Sequence, residues 1–280
     1  ACGISFGPPE KARVEIVDPP PAHMLVFGCD HGLPASGGSA RLRVDGTSMS
    51  VPLDPGMLPS EAARRMATAI RARGFEVRVF DNPRTAASAH GTTDLSVRTA
   101  SGKLAELSQD GPVSSDATLT ACIVHVNLED GLQHFGDVDS AVGTGEERAL
   151  IRAYDDGDPT TIDVFVVLGF ALGGRIGESF IGADGGTIKN VVLIDSAGLR
   201  SGRGSFTLPH EIGHVLLDDP GHPDDFGVDT PTQLMDADAS DPTAFGPRRL
   251  GLDECKRVIR QSGPGTPVQL LTPWPLSPIP

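Results

Sequence analysis

The segment HEIGHVLLDDPGH occupies residues 210–222 and concentrates three histidines beside a glutamate. His210 and His214 are one helical turn apart, so on a helix both imidazoles project from the same face. Glu211 follows His210 and projects beside that face rather than onto it. The HExxH spacing therefore directs two nitrogen ligands at one metal ion and places a carboxylate within reach of a water next to it.

The surrounding residues predict a helix over 207–219 that ends in a sharp turn. The apolar strand NVVLIDS precedes it, and Thr207 and Pro209 suit a helix start. Pro220 cannot continue the helix, and Gly221 permits a left-handed turn. The chain then doubles back toward the first two histidines.

A catalytic zinc site uses three protein ligands and leaves a fourth position open for water. We predict that His210, His214 and His222 are the three ligands, because zinc prefers imidazole and the turn delivers the last of them. Three carboxylates are the alternatives for the third ligand: Asp218, Asp219 and Glu254. A ligand from the last helix would imply a different architecture.

Residues 120–262, about half of the chain, resemble the metzincin metalloproteases. In that family a third ligand and a Met-turn follow the zinc-binding helix. The segment TQLMDAD matches the Met-turn through Met235, and RRLGLDECKRVIRQ matches the helix that closes the family's domain. The resemblance implies that Met235 packs beneath the histidines and does not bind the metal.

The chain departs from the family pattern HExxHxxGxxH within the turn. Leu217 stands where the pattern has glycine, and His222 comes two residues later than the pattern's third histidine. Some members of the family also place a tyrosine near the Met-turn, whereas the single tyrosine of this chain is Tyr154, far upstream. The oxyanion would therefore rely on zinc and on backbone donors.

The resemblance implies an α+β fold in which a mixed twisted sheet is joined by the zinc-binding helix and a C-terminal helix. It also implies a zinc-dependent endopeptidase. Zinc lowers the pKa of its bound water, Glu211 removes the proton as general base, and zinc stabilises the oxyanion. The peptide or protein substrate lies extended along an edge strand, for which we select residues 179–183.

Two other functions fit the same residues. The first is a non-enzymatic binding or structural protein, in which the N-terminal module works and a degenerate protease domain still holds zinc. The intact Glu211 argues against it, because a relative without activity can lose its base and keep its metal. The second is a zinc hydrolase that acts on a non-peptide amide.

The composition predicts two domains and a tail. We place an N-terminal α+β accessory domain, either a binding domain or a pro-domain, at residues 1–117. The zinc protease domain follows at 118–262, and a proline-rich tail at 263–280. Residues 82–118 are polar and contain the boundary between the two domains.

The N-terminal domain contains a small ββαβ unit. The stretch RLRVDGTSMSVPL alternates around Asp45 and Gly46, which predicts a hairpin. The stretch PSEAARRMATAIRARG has helical periodicity, with Ser60 as its cap and Gly74 at its end. This unit resembles a module that recurs in phage tail-like proteins, and it shows no catalytic constellation.

Charge and hydropathy exclude two classes of partner. The net charge of −14 argues against nucleic acid, which is bound by clustered Lys and Arg. No apolar run is long enough to span a bilayer. The acidic stretches at 155–158 and 236–241 make calcium a second candidate cofactor beside zinc.

The four cysteines lie far apart and form no CxxC pair, which argues against a cysteine zinc cluster. We predict a disulfide between Cys122 and Cys255, because both fall within 120–262, in an extracytoplasmic protein that is secreted or lipid-anchored. The start ACG resembles the end of a bacterial lipoprotein signal, so Cys2 is a candidate lipid anchor. Cys2 and Cys29 are otherwise paired together or cross-paired.

Overall fold

The computed structural model describes residues 23–84, 89–134, 142–155, 157–172, 174–196, 198–199, 204–227, 230, 232–237 and 248–261. These residues form four α-helices and three sheets, which confirms the α+β class. They fall into two compact units. The first unit comprises Pro19–Asp155 with Gly185–Thr187, and the second comprises Asp156–Asp184 with Ile188–Pro280.

The first unit contains two antiparallel sheets with the strand orders β4-β5-β1-β7 and β3-β2-β6. Two helices accompany them. The large core that the two sheets share with the first helix includes Phe27, Met66 and Leu95. The elements are β1 (His23–Gly32), β2 (Gly38–Val44), β3 (Thr47–Leu53), α1 (Pro59–Arg71), β4 (Glu76–Asp81), β5 (Thr93–Arg98), β6 (Leu107–Ser108), β7 (Leu119–His125) and α2 (Gly145–Tyr154).

The predicted hairpin joins β2 to β3, and its two turn residues, Asp45 and Gly46, both have positive φ. The predicted helix is α1, whose apolar face is buried. Its N-cap is Leu58 and not Ser60. The carboxylate of Glu61 accepts the backbone N–H of Leu58 at 2.9 Å, so the acidic residue of the first turn replaces the expected hydroxyl cap.

The first compact unit continues beyond residue 117 as far as Asp155. Strand β7 and helix α2 belong to the first unit, because β7 pairs with β1 along its length and α2 packs beside the same strands. Local composition marks the polar stretch before β7, but the pairing of β7 depends on a strand almost a hundred residues earlier.

The predicted Cys122–Cys255 disulfide is wrong. Cys122 bonds to Cys29, with their Cα atoms 6.1 Å apart. β1 and β7 are neighbouring antiparallel strands, and this adjacency brings the two sulfurs together. This bond joins a cysteine inside the segment 120–262 to one outside it, whereas the prediction kept the pair within that segment. Cys255 is also disulfide-bonded.

A buried ion cluster lies beneath helix α2 in the first unit. Asp94 is fully buried and accepts hydrogen bonds from Arg148 at 2.9 Å and from Arg152 at 3.0 Å. Asn82 donates to the same carboxylate at 2.9 Å, and Arg152 also donates to Thr187. Burial alone would raise the pKa of Asp94, but the charges of Arg148 and Arg152 and these hydrogen bonds outweigh it and hold the pKa below its usual value.

The second unit contains a mixed sheet with the order β8-β10-β9. Its strands and helices are β8 (Asp163–Val167), β9 (Gly177–Phe180), β10 (Val191–Asp195), α3 (Gly204–Leu217) and α4 (Leu252–Gln261). β8 runs parallel to β10, and β9 runs antiparallel to it.

The apolar run TIDVFVVLGF predicts a central strand, but β8 lies at the edge of the described sheet, with Val164 and Val166 exposed. The central strand is β10, in which every residue is buried. A continuous apolar run does not distinguish an edge strand from a central one, because the number of neighbours is set by topology.

Some predictions fall on residues outside the described set. They are the lipid anchor at Cys2 and the tail at 263–280, and the acidic stretches proposed for calcium are only partly described. Within the described part of the chain, no helix combines the length and the apolar character needed to cross a membrane.

Candidate metal centre

Helix α3 carries the HExxH segment and packs onto the sheet of the second unit. Val215 is buried against Val192 of β10 and Ile181, which follows β9. The helix begins at Gly204, before the predicted start at 207, and therefore contains Pro209. The apolar side of α3 faces the sheet, and this packing orients the face that carries the histidines.

The turn after α3 uses a residue that the sequence did not indicate. Asp218, and not Gly221, adopts the left-handed conformation, with φ of 50°. Its carboxylate accepts the backbone N–H of Ala183 at 2.7 Å, which ties the end of the helix to the segment after β9. Aspartate tolerates this conformation better than most residues, and the hydrogen bond holds it there.

The turn brings His222 to the other two histidines, as the sequence predicted. One nitrogen from each of His210, His214 and His222 lies within 4.8 Å of the other two. The ring centroid of His222 is 5.3 Å from that of His210 and 4.9 Å from that of His214. Because imidazole nitrogens at this spacing converge, this group can hold a metal ion.

The three alternative ligands bind elsewhere. Asp218 accepts from Ala183 as described, and Asp219 accepts the backbone N–H of Gly221 and pairs with Arg257. Glu254 accepts the backbone N–H of Gly251 at the start of α4. Each of these carboxylates stabilises a turn or a helix end. Among the described residues, none of the three joins the group formed by the histidines.

Two backbone carbonyls fix the orientation of the helical histidines. Nδ1 of His210 lies 2.7 Å from the carbonyl oxygen of Leu234, and Nδ1 of His214 lies 2.7 Å from that of Asp219. A carbonyl oxygen only accepts, so each Nδ1 donates its hydrogen to it and each Nε2 is the ring nitrogen directed inward. This is the arrangement in which protein histidines ligate metals.

The two inward nitrogens face each other without a proton to share. His214 Nε2 and His210 Nε2 are 3.0 Å apart, close to the spacing of about 3.3 Å expected between two nitrogens of a tetrahedral zinc site. Burial is the main cause that lowers the pKa of His214 to about 3, so that ring is neutral at pH 7. Paired lone pairs repel, and a cation between them removes the repulsion. The donor set therefore fits a metal ion.

Glu211 lies beside this group and contacts strand β9. It is buried, and the hydroxyl of Ser179 donates to its Oε2 at 2.6 Å. A Cβ at Gly177 would lie 2.6 Å from Oε1, so the absence of a side chain there makes room for the carboxylate. Burial raises the pKa of Glu211, opposed by His210 and then by the hydrogen bond from Ser179. A raised pKa suits a group that exchanges protons.

Met235 packs beneath the helix at Gly213, between the two helical histidines in sequence. A Cβ at Gly213 would lie 2.3 Å from the Met235 sulfur, so only glycine allows this approach. Met235 is 1% exposed and shares a cluster with Leu216 and with Val258 of α4. The adjacent residue Leu234 supplies the carbonyl that holds His210, so the packing of Met235 fixes that carbonyl.

The sequence predicted the three histidines that converge and the glutamate beside His210, but it did not indicate the groups that support them. No motif or periodicity indicated most of the supporting groups, which are Ser179, Gly177 and the carbonyl groups of Leu234 and Asp219. Gly213, which permits the contact with Met235, is the one support with a signal. Glycine in the middle of a predicted helix costs about 1 kcal/mol and points to a close approach.

Comparison of this chain with protein-family models, with curated proteins and with solved structures found no match.

Proposed function

We propose that this chain is a zinc-dependent endopeptidase of the metzincin type. The observation that carries the proposal is the convergence of His210, His214 and His222 beside the buried carboxylate of Glu211. A purely structural metal site has no use for an adjacent base, whereas metal-assisted hydrolysis needs one. The buried Met235 beneath the histidines supports the assignment to this type.

Zinc is the metal that the ligands favour. Three neutral imidazoles suit a borderline-soft ion of tetrahedral preference, while calcium and magnesium take oxygen ligands. When bound here, zinc supplies Lewis-acid polarisation of the scissile carbonyl and acidification of a water. His210, His214 and His222 would hold it, and their backbone partners keep the rings aligned.

Glu211 performs the proton transfers in this mechanism. Its carboxylate removes a proton from the attacking water and delivers it to the nitrogen of the leaving amine as the C–N bond breaks. Ser179 holds Oε2 of Glu211, so Oε1 is the oxygen left to accept the proton. Ser179 acts as a positioning residue, because it touches the base and not the substrate.

The substrate is a peptide in extended conformation along β9. This strand pairs with β10 on one side and has no second strand partner within the described residues. Residues 179 and 180 of the edge selected from sequence lie in β9, and 181–183 follow it. Glu211 rests against Gly177 and Ser179 of the same strand, so a peptide added there passes beside the base.

The turn defines a variant of the metzincin pattern. Its extra residues place Asp218 in the left-handed position and return the chain through Pro220 to His222. The Cys29–Cys122 disulfide and the second bonded cysteine, Cys255, support an extracytoplasmic location, where disulfides persist.

Metal analysis with a proteolysis assay tests the proposal. Purified protein should contain zinc and cleave a fluorescence-quenched peptide library, and 1,10-phenanthroline should stop cleavage until zinc is restored. Glu211→Gln should keep its zinc and its melting temperature but lose a factor of about 10²–10⁴ in kcat/KM. Glu254→Gln is the matched control, and it should retain both zinc and activity.

Three results would redirect the assignment. Undiminished cleavage by Glu211→Gln removes the proposed base. Loss of zinc in Glu254→Gln but not in His222→Ala replaces the third ligand and with it the metzincin type. Zinc without cleavage of any peptide favours the binding-protein alternative, and cleavage of amides other than peptides favours the other hydrolase.

A further inference from the structure

The first unit contains a second pair of facing histidines, which the sequence did not indicate. His23 is the first residue of β1 and His125 is the last of β7, and the antiparallel register places them directly opposite each other. Their Nδ1 atoms are 2.7 Å apart, and their ring centroids are 4.6 Å apart with the planes nearly perpendicular. Sequence spacing gave no hint of this pair, because 102 positions separate the two residues.

The strands beneath the pair hold it in place. The register continues without interruption from His23↔His125 to Phe27↔Ala121, and the Cys29–Cys122 disulfide links the same two strands further along. Met24 and Val26 are buried on β1. The two imidazoles are therefore anchored on a rigid ladder, which lowers the entropic cost of bringing them onto one ion.

The chemistry of the pair suits a cation. At 2.7 Å the two Nδ1 atoms share one proton in a hydrogen bond. If the rings separate to the spacing of about 3.3 Å described above, both nitrogens reach one metal ion in place of that proton, and imidazole suits zinc, copper and nickel. His125 is exposed and His23 is half-buried, so the pair is open to ions from solvent. Burial, and then the charge of His125, lower the pKa of His23, and the nearby carboxylate of Glu106 opposes this shift. A nearby carboxylate favours a bound cation.

We propose that His23 and His125 form a second metal site, which chelates a divalent transition-metal ion through both Nδ1 atoms. It is independent of the proposed protease activity and lies in the other unit. The oxygen-rich ligand sets of calcium and magnesium are not available at this pair, so zinc is the appropriate probe.

Equilibrium dialysis of the whole chain against buffered Zn²⁺ tests this site. Wild-type protein should bind one more zinc ion per chain than His125→Gln does. His125 is exposed, so the substitution should leave the melting temperature of the metal-free protein unchanged. His90→Gln removes an exposed histidine from the same unit and should bind as much zinc as wild type.

A double variant separates this site from the metal centre of α3. His214→Ala should still bind one zinc ion, and His214→Ala combined with His125→Gln should bind none. The proposal is overturned if His125→Gln binds as much zinc as wild type, or if His90→Gln loses as much as His125→Gln. The loss of one zinc ion in His214→Ala tests the α3 centre. The loss of a further ion when His125→Gln is added tests the His23–His125 site.

Discussion

The two units bury polar clusters of opposite character. In the first unit, Asp94 meets two arginines and an asparagine, so the buried carboxylate has both opposite charge and hydrogen bonds. In the second unit, His210 and His214 direct unprotonated nitrogens at each other.

The difference separates a cluster that is complete within the chain from one that can hold a metal ion. A buried ion pair with all its hydrogen bonds made has no remaining capacity for a ligand, and removal of one partner leaves a charge without compensation. Convergent lone pairs beside a carboxylate are instead completed by something from outside the chain. Burial of polar groups alone therefore does not identify a site, and the match of donors to acceptors does.

The largest expected effect comes from removal of Asp94 from the buried ion cluster of the first unit. Asp94→Ala should destabilise the protein by about 3–5 kcal/mol, because Arg148 and Arg152 remain buried without their counter-charge. Urea unfolding followed by circular dichroism measures the loss. Asp54→Ala is the control, because Asp54 pairs with Arg65 at an exposed position and such pairs contribute little. Equal losses in the two variants would contradict the account of Asp94.

Zinc binding to the three histidines of the second unit should stabilise the protein. Zinc at a hundred times its dissociation constant adds about 2.7 kcal/mol to the free energy of unfolding, because it binds the folded state. His214→Ala should lose this gain, measured for each variant against its own metal-free protein. Thermal melts with and without zinc measure the gain, with His125→Gln as the background so that the second pair does not contribute. A zinc-induced shift retained by the combined variant would place the metal elsewhere.

The two clusters should respond to acid in different ranges. The folded pKa of His214 is lowered to about 3, so the unfolded state binds more protons between that value and the ordinary histidine pKa near 6.5. Stability of the metal-free protein is full above this window and falls as the pH drops through it. One proton gives a slope of at most about 1.4 kcal/mol per pH unit.

His214→Gln should flatten that slope, as urea unfolding at a series of pH values would show. Asp94 affects the pH dependence of stability only at lower pH. Its folded pKa is lowered, so its stabilisation is complete above the usual aspartate range and is lost as the pH falls below that range. An unchanged slope in His214→Gln would mean that another group takes up the proton.

The smallest expected effect is on the orientation of the base. Ser179→Ala removes one hydrogen bond from Glu211, worth about 1 kcal/mol or roughly fivefold in rate. The loss should appear in kcat and not in KM, since Ser179 touches the base. Ser179→Thr keeps the hydroxyl and should restore activity. A change confined to KM would assign Ser179 to substrate binding instead.

The sequence predicted what depends on neighbours along the chain. Spacing over one helical turn placed His210 beside His214, turn chemistry at Asp45 and Gly46 predicted the hairpin, and the break at Pro220 predicted the return to His222. In each case the deciding forces act within a few residues, so local pattern is sufficient.

Tertiary structure decided what depends on distant partners. Cys122 pairs with Cys29, and His23 faces His125, only because β7 is the neighbour of β1. Ser179 meets Glu211 because α3 packs beside β9. Strand pairing and helix packing join residues far apart in sequence, and their choice depends on the burial of a whole apolar surface, which no single segment contains.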